Sequence, residues 1–374
     1  MVGDKAMFDF SFKKNTFLGI DIGTASIKIV EIRMIDGKPV LSNYAWMPLG
    51  GNGSAKKDLD SEYFYATLPI CIKKMIKKAK ISGKDAYISL PSFGGLITLI
   101  DFPEMADGDM EQAIKFEAHK YIPTSLDDVV ISWDVVEKRE AAKSPGLSGV
   151  ETRGLPGATV KVLLVAASKS KILKYENLIK TSGLTLRSVD IETFSIIRAL
   201  LGNDPGSFII IDIGSKACNI ILVEKGVIRI NRNIDAGGLD LTRAIAKEMQ
   251  IDVERAEALK VSGKNFFTSA APTSFVTLEV ITGEVERIIR TYFKEEGREK
   301  VTEIILSGGM ANMVGLADYF SDKLKIKTVV GDPFARITYD KKAEKLVSRI
   351  RTSFAVAVGS ALKGVEEFSK KAVK

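Results

Sequence analysis

Metal-binding and redox residues are nearly absent from this chain. Its 374 residues include one histidine and two cysteines, whereas a structural zinc site takes four such ligands. A metal centre built from these side chains is therefore excluded. Cys71 and Cys218 both lie in apolar segments, so we interpret them as buried thiols of a cytosolic protein rather than as a disulfide.

Long apolar runs are missing as well. No stretch approaches the roughly 18 apolar residues that span a bilayer, and residues 1–15 lack the apolar core of a secretory signal. We therefore expect a cytoplasmic protein without a transmembrane segment. A content of 45% hydrophobic and 27% charged residues is typical of globular proteins, and the length predicts two or more folding units.

The positive charge lacks the pattern of a nucleic-acid binder. The formal net charge is +7, and the densest basic cluster is IKKMIKKAK at residues 72–80. Its lysines fall opposite an apolar helical face, as on a solvated helix surface. No aromatic residues alternate with them to stack on bases. We expect no nucleic-acid partner, and weak attraction to an anionic membrane surface fits this charge better.

Strand and helix patterns alternate along the chain, which predicts an α/β fold. Residues 139–157 are rich in Gly, Pro and Ser without periodicity, so we predict a mobile loop there. Asp240 and Asp252 stand where apolar helical patterns begin and are predicted to cap those helices.

One short motif occurs twice, and both copies interrupt an apolar strand with Asp-Ile-Gly. The copies are GIDIGTASIKIVEI at residues 19–32 and IIIDIGSKACNIILVEKG at residues 209–226. A glycine turn between two strands points backbone N–H groups at an anion, and an aspartate beside it suits hydrated Mg²⁺. Two such hairpins facing each other would hold a polyphosphate. The alternative is two unrelated hairpins whose aspartates cap turns, and the repetition argues against it.

These motifs resemble the phosphate-binding turns of the actin-like ATPase superfamily. DIGTASIK and DIGSKACN are similar to its first and second turns, ILSGGMANM to its adenosine motif, and DIETFSIIRAL to its connecting helix. The segments occur in the superfamily's order. The resemblance implies a duplicated α/β fold, with two halves around a nucleotide cleft that binds ATP and Mg²⁺.

The resemblance also assigns roles to individual residues. Asp21 and Asp212 would act on Mg²⁺ through water, and Glu192 matches a glutamate near the attacking water, so these three form the predicted catalytic group. Lys216 departs from the small residue usual in the second turn, which implies slow or no hydrolysis and a structural or switching nucleotide. The predicted nucleotide-binding residues are Gly23, Thr24, Ala25, Ser26, Lys28, Gly214, Ser215, Lys216, Gly237, Gly238, Glu257, Lys260, Gly308, Gly309 and Met310.

Within the superfamily, the chain resembles the PilM family of type IV pilus assembly proteins. The segments MFDFSFKKNTFLGIDIGTASIKIVEI, AIKFEAHKYIPTSLDDVVISWDVVE and FAVAVGSALKG carry this resemblance, which implies a natural start at Met7. It also implies an inserted subdomain of the FtsA type, called IC. The expected division is IA at 1–88 with 185–205 and 345–374, IC at 89–184, IIA at 206–236 with 303–344, and IIB at 237–302.

The PilM resemblance further implies a partner at the inner membrane. That partner is the cytoplasmic N-terminal tail of PilN, docked between IA and IC beside the helix at 109–122 and the strand LITLIDFP, with other pilus platform components nearby. The apolar face of that helix leaves Glu117 either paired inside or open to a partner, and His119 lies opposite without a catalytic role. The chain would then be cytoplasmic and peripheral to the membrane. The apolar face comprises Met110, Ala113, Ile114, Ala118, Tyr121 and Ile122.

Other functions remain open at this stage. A small-molecule kinase of the same superfamily would need a catalytic base, for which no motif offers a candidate. A scaffold without nucleotide is disfavoured by Asp21, Lys28, Asp212 and the glycine turns. An FtsA-like filament, and self-association in general, fit the same fold.

Overall fold

A computed structural model describes residues 15–49, 63–139, 158–268, 275–294 and 300–372. The predicted start at Met7 and all but the first residue of the predicted loop at 139–157 lie outside the described residues. None of the helices in the described ranges has the length and apolar character needed to span a bilayer.

The first sheet has five strands in the order β3-β2-β1-β4-β8. Its strands are β1 (Thr16–Ile22), β2 (Ser26–Ile35), β3 (Lys38–Pro48), β4 (Asp85–Leu90) and β8 (Thr185–Ile191). The first three strands form an antiparallel meander, and β4 and β8 run parallel to β1.

A second sheet repeats this plan later in the chain. Its order is β11-β10-β9-β12-β13, again with an antiparallel meander followed by two parallel strands. The strands are β9 (Ser207–Ile213), β10 (Cys218–Glu224), β11 (Val227–Ile234), β12 (Glu303–Ser307) and β13 (Thr328–Val330). The duplicated α/β architecture expected from the repeated motif is therefore present.

A third, smaller sheet lies between β4 and β8 in the sequence. It is antiparallel in the order β5-β7-β6, with β5 (Gly95–Pro103), β6 (Val129–Arg139) and β7 (Thr159–Ser168). Helix α2 (Asp107–Ala118) packs on it through Met110 and Ile114. Strands β5 to β7 and α2 therefore form a separate layer with its own core, although Tyr121, predicted on the apolar face of the helix, is exposed.

Nine further α-helices lie in the described residues, together with a few short 3-10 and π segments. Asp252 accepts a hydrogen bond from the Arg255 backbone N–H at 2.7 Å and caps α6 as predicted, whereas Asp240 is the third residue of α5 and accepts from the Gly237 N–H at 2.9 Å. These helices are α1 (Leu68–Lys78), α3 (Lys169–Thr181), α4 (Glu192–Leu200), α5 (Gly238–Met249), α6 (Val253–Val261), α7 (Val276–Tyr292), α8 (Leu316–Leu324), α9 (Glu344–Ile350) and α10 (Ala355–Ala372).

Two segments pack against parts of the fold other than those expected from the sequence. Helix α3 falls in the expected insert, yet Tyr175 and Leu178 are buried in the core of the first sheet. After β13, Phe334 packs in a core with residues of β2, and Thr338 forms a bridge with Val40 of β3. Both segments place apolar side chains on a face of the first sheet that would otherwise be open to water.

Helices α4 and α10 cross each other between the two halves. Helix α4 leads from the first sheet to the second, and α10 packs back on β1, β2 and β4. A Cβ atom on Gly359 would stand 1.8 Å from the carbonyl oxygen of Ser195, so only glycine fits at the crossing. The buried hydroxyls of Ser89, Ser195 and Ser360 lie 2.8–3.3 Å apart beside it.

This close approach predicts that Gly359→Ala is strongly destabilising. Overpacking against rigid backbone costs about 3 kcal/mol when neighbouring groups cannot move, and we expect a loss of that size in the free energy of unfolding by urea. Gly283→Ala is the matched control, because nothing lies within 4 Å of a Cβ there. It should be neutral or stabilising by about 0.5–1 kcal/mol, as for alanine in a helix. Equal stability of the two variants would contradict the assigned crossing.

Candidate functional site

The two repeated motifs form the same four-residue turn. The Gly23 N–H donates to the Ser26 carbonyl at 3.1 Å, and the Gly214 N–H donates to the Ala217 carbonyl at 2.9 Å. Thr24 is exposed at the tip of the first turn, and so is Ala25. Each turn follows the central strand of its sheet, so the structure brings both predicted phosphate turns to equivalent positions.

The two hairpins differ in the residue that faces the aspartate. Asp21 lies opposite Lys28 in the β1–β2 ladder, and the lysine Nζ donates to its carboxylate at 2.7 Å. In the second copy, Asp212 lies opposite Asn219. The first aspartate is therefore neutralised by a neighbouring ammonium, whereas a neutral amide occupies the corresponding place in the second.

Glu192, the first residue of α4, is held near both aspartates. Burial, together with the charges of Asp21 and Asp212, raises its pKa to about 8, although the Ser92 N–H donates to its carboxylate at 3.2 Å and acts in the opposite direction. Burial also raises the pKa of Asp212 to about 6. Three acidic groups and one ammonium influence one another electrostatically here, so the site has a deficit of positive charge that a divalent cation would fill.

Direct metal coordination by these side chains alone does not fit the geometry. Among the described residues, no three carboxylate, Cys or His groups are close enough together to hold a metal ion. Mg²⁺ commonly keeps several waters and uses one or two carboxylates plus phosphate oxygens. Asp21 and Asp212 fit that mode chemically, and phosphate and water would supply the remaining ligands.

The Gly-Gly pair before α5 supports the second turn. The Gly238 N–H donates to the Gly214 carbonyl at 2.9 Å, and the Leu239 N–H donates to the Ser215 carbonyl at 2.9 Å. A Cβ on Gly237 would lie 2.7 Å from the Ser215 oxygen. Side chains are excluded where α5 meets the turn. Lys216 is half-buried at this turn.

The Lys260 side chain stabilises the start of α5. Its buried Nζ donates to the Gly238 carbonyl at 2.9 Å and to Thr242 Oγ1 at 2.6 Å, and lies 2.6 Å from Glu257 Oε2. Burial lowers its pKa, and the carboxylate opposes that shift. The ammonium thus fixes the start of α5, while the half-exposed Glu257 remains at the surface.

The third predicted glycine motif gives an open stretch of backbone. Gly308 has φ of 86°, and a Cβ there would lie 2.3 Å from the Ile213 carbonyl oxygen. At Gly309 a Cβ would meet nothing within 4 Å, so this residue leaves room for a ligand. The Met310 side chain is buried against Gly238 and belongs to the core of the second half.

A buried polar network adjoins the site and was absent from the sequence predictions. Asn219 Nδ2 donates to Ser92 Oγ at 2.9 Å and to Thr193 Oγ1 at 3.1 Å, and Thr193 donates to Asn231 Oδ1 at 3.1 Å. The network joins the root of the insert, α4 and the second sheet. Its one sequence signal is Asn219, which occupies the place of Lys28 in the second copy of the motif.

Taken together, the duplicated sheets, paired turns and crossing helices define an actin-like ATPase fold. Solved structures agree: MreB5 of Spiroplasma citri bound to ADP matches at a TM-score of 0.50 with 13% identity over 96% of this chain and 99% of that one. A chain from a PilM–PilN type IV pilus biogenesis complex matches at a TM-score of 0.75 with 24% identity, over 94% of this chain and 99% of that one.

Sequence comparison then identifies the family. The family model described as type IV pilus assembly protein PilM matches residues 19–365, so the chain belongs to the PilM family. It is also similar to the cell division protein FtsA of Enterococcus faecalis, at 23% identity over 354 residues that cover 82% of this chain and 76% of that protein. The resemblances drawn from the motifs are thereby confirmed at the level of fold and family.

The raised pKa of Glu192 predicts a pH-dependent stability. The carboxyl has an ordinary value of 4.5 and holds its proton in the folded protein up to about pH 8. Burial of Glu192 therefore costs no stability below pH 4.5. Above that pH the free energy of unfolding falls, and the loss is complete once the pH has risen through about 8. Without nucleotide or metal, Glu192→Gln should unfold at higher urea than the parent at pH 8.5 and equally at pH 4.5, in denaturation followed by circular dichroism.

An exposed residue of the neighbouring helix supplies the control for that experiment. Glu176→Gln removes the same charge at the surface of α3 and should leave the difference between the two pH values as in the parent. A parallel profile for Glu192→Gln and the parent would show that Glu192 ionises in the folded state as it does in water.

Proposed function

We propose that this PilM-family protein binds ATP and Mg²⁺ between the turns at Gly23 and Gly214. The main supporting observation is the pair of equivalent turns, each preceded by an aspartate, together with an open glycine backbone at Gly309. N–H groups at such turns suit phosphate oxygens, and Lys28 stands beside the first turn as a cation. When bound, Mg²⁺ would neutralise part of the negative charge of the phosphates.

In this proposal hydrolysis is slow and the nucleotide serves as a structural or switching ligand. Glu192 is the residue proposed to orient water, and in the site without nucleotide or metal its carboxyl, with a pKa of about 8, is mostly protonated at neutral pH. A protonated carboxyl cannot accept a proton from an attacking water. The same burial that keeps Glu192 in place therefore limits it as a base.

The nucleotide proposal is tested by removing one charge at a time. Asp21→Asn and Asp212→Asn should each weaken ATP binding at least about tenfold in the presence of Mg²⁺ and much less in its absence, since a charged contact is worth about 1.5–3 kcal/mol. Lys28→Met should weaken binding under both conditions. Isothermal titration with and without Mg²⁺ measures these affinities.

The control keeps the charge change but moves it away from the cleft. Asp36→Asn alters the exposed β2–β3 turn, where asparagine tolerates the φ of 49°. It should bind ATP like the parent. If both aspartate variants in the cleft also bind Mg²⁺-ATP like the parent while remaining folded, the proposed clamp is wrong.

We further propose that the chain binds the cytoplasmic N-terminal tail of PilN and is held at the inner membrane by that contact. Family membership supports this, as does the fold shared with a chain from a PilM–PilN complex. The proposed groove lies where the insert meets the first half. Strand β5 contacts β11 and buries Ile97 in a core shared with the second half, and Glu137 near the end of β6 pairs with Arg229 of β11. The groove is therefore assigned to the start of β6 and to α3, rather than to β5.

Two exposed apolar side chains mark this junction. Val130 on β6 pairs in register with Ala167, which stands two residues before α3, and Leu173 lies in the first turns of α3. Their exposures are 46% and 55%. On the other side, Glu117 of α2 pairs with Lys120 at 2.8 Å, which leaves it engaged within the insert.

The partner proposal predicts which surface changes weaken binding. Leu173→Asp and Val130→Asp should each weaken the binding of a synthetic PilN tail at least about tenfold, because an apolar side chain buried in a groove contributes about 1.5–3 kcal/mol. Val261→Asp is the matched control, being 72% exposed on α6 of the second half. Titration calorimetry with the full chain measures all three.

Two outcomes would count against this assignment. Equal weakening by all three variants would indicate a nonspecific charge effect, and no binding of the tail by the parent would reject PilN as the partner. Nucleotide binding by each variant, measured in parallel, shows that the fold is retained.

A further inference from the structure

A cavity lined by lysines opens at the C-terminal ends of α1 and α3. Its volume is about 440 Å³, and Lys73, Lys77, Lys80 and Lys84 stand around it. Ile76 and Ile81 contribute an apolar lining. All four lysines are exposed at the surface.

These four ammonium groups have no counter-charge within the described part of the chain. No ion pair or side-chain hydrogen bond involves any of them there, although four like charges surround one cavity. The nearby acids are engaged elsewhere. Glu31 is fully buried and accepts from the Ser82 and Gly83 N–H groups at 2.9 and 2.8 Å, and Asp85 pairs with Arg187 at 2.9 Å.

The fold separates this cavity from the sites already described. Lys84 immediately precedes β4, and the cavity residue Gly183 stands two positions before β8, so the cavity lies where these parallel strands begin. The turn at Gly23 follows the end of β1, which runs parallel to β4. Seven residues of strand separate the two edges by about 23 Å. The root of the insert also lies at the far edge, after Leu90.

We propose that this lysine cavity is a docking surface for the anionic phospholipid headgroups of a membrane. Buried, fixed donors would indicate a single soluble ligand, whereas these lysines are exposed, and a lysine ammonium sits on a flexible four-carbon stem. Such groups respond to charge density, and a membrane surface presents many phosphates at once. Lys80 and Lys84 lie on either side of Ser82 and Gly83, whose N–H groups donate to Glu31. These hydrogen bonds hold that segment, and with it the two lysines, at one edge of the first sheet.

This contact goes beyond the proposed binding of PilN and does not depend on it. It would orient the first half with the start of its parallel strands toward the bilayer and the nucleotide turns away from it. Helix α3 is 13 residues long, which corresponds to about 20 Å. An extended tail of about six or seven residues covers that distance, so one orientation accommodates both contacts.

The experiment is flotation of the full chain with lipid vesicles, in the absence of PilN and of nucleotide. The parent should float with phosphatidylcholine vesicles that contain phosphatidylglycerol, and remain at the bottom with phosphatidylcholine alone or at high salt. Replacing Lys73, Lys77, Lys80 and Lys84 with Gln should reduce the partition coefficient at least about 100-fold, because each lysine near an anionic surface contributes about fivefold.

A second quadruple variant removes the same charge from other exposed positions and should float like the parent. Its substitutions are Lys247→Gln, Lys323→Gln, Lys325→Gln and Lys341→Gln. Equal losses in the two variants would show that only net charge matters and would overturn the proposal. So would a parent that fails to float, or one that binds water-soluble short-chain phosphatidylglycerol as tightly as vesicles, which would indicate a phosphate site. Retained binding of Mg²⁺-ATP or of the PilN tail by the cavity variant shows that it is folded.

Discussion

The crossing of α4 and α10 is the contact on which the geometry of the site between the two halves depends. Their backbones approach so closely at Gly359 that no other residue fits, and Arg198 of α4 donates to the Gly359 carbonyl at 3.0 Å. Helix α4 begins with Glu192. Helix α10 packs along β1, and the turn that follows β1 begins at Gly23. One contact therefore sets the position of the acidic group at the centre of the site relative to the turn on the first half.

The site is asymmetric although the fold is duplicated. Lys28 neutralises Asp21 in the first hairpin, whereas Asn219 uses the same ladder position to reach Ser92 and Thr193. The first copy thus supplies a cation beside its turn, and the second supplies a hydrogen-bonded connection to the insert. Duplication has produced two similar turns, and the residue seven positions beyond each aspartate has given them different physical roles.

Sequence reasoning was successful where the chemistry is local. The turns and the duplicated α/β architecture follow from short motifs and their order, and the structure contains both. Depth and long-range packing were harder to predict. The spacing of Glu257 and Lys260 places both on one helical face, yet nothing in that spacing shows that the Lys260 ammonium is buried beneath Gly238.

The position of α3 could not be predicted for the same reason. An apolar face on this helix predicts burial but does not identify the sheet that covers it, and the helix packs on the first sheet although it directly follows a strand of the insert. The polar network was missed for a related reason. Its members come from four separate segments, so no motif contains more than one or two of them.

The insert contacts both halves of the fold, so it links the proposed nucleotide site to the proposed partner site. Glu137 of its strand β6 forms an ion pair with Arg229 of the second half at 2.7 Å. At its root, the Ser92 N–H donates to the Glu192 carboxylate. A ligand that shifts the insert must therefore shift supports of the nucleotide site. Because linkage between binding sites is reciprocal, a nucleotide that changes the distance between the halves acts equally on a partner bound to the insert. The arrangement makes the insert a physical connection between the two sites, in which Ser92 touches the acidic group and Glu137 touches the opposite half.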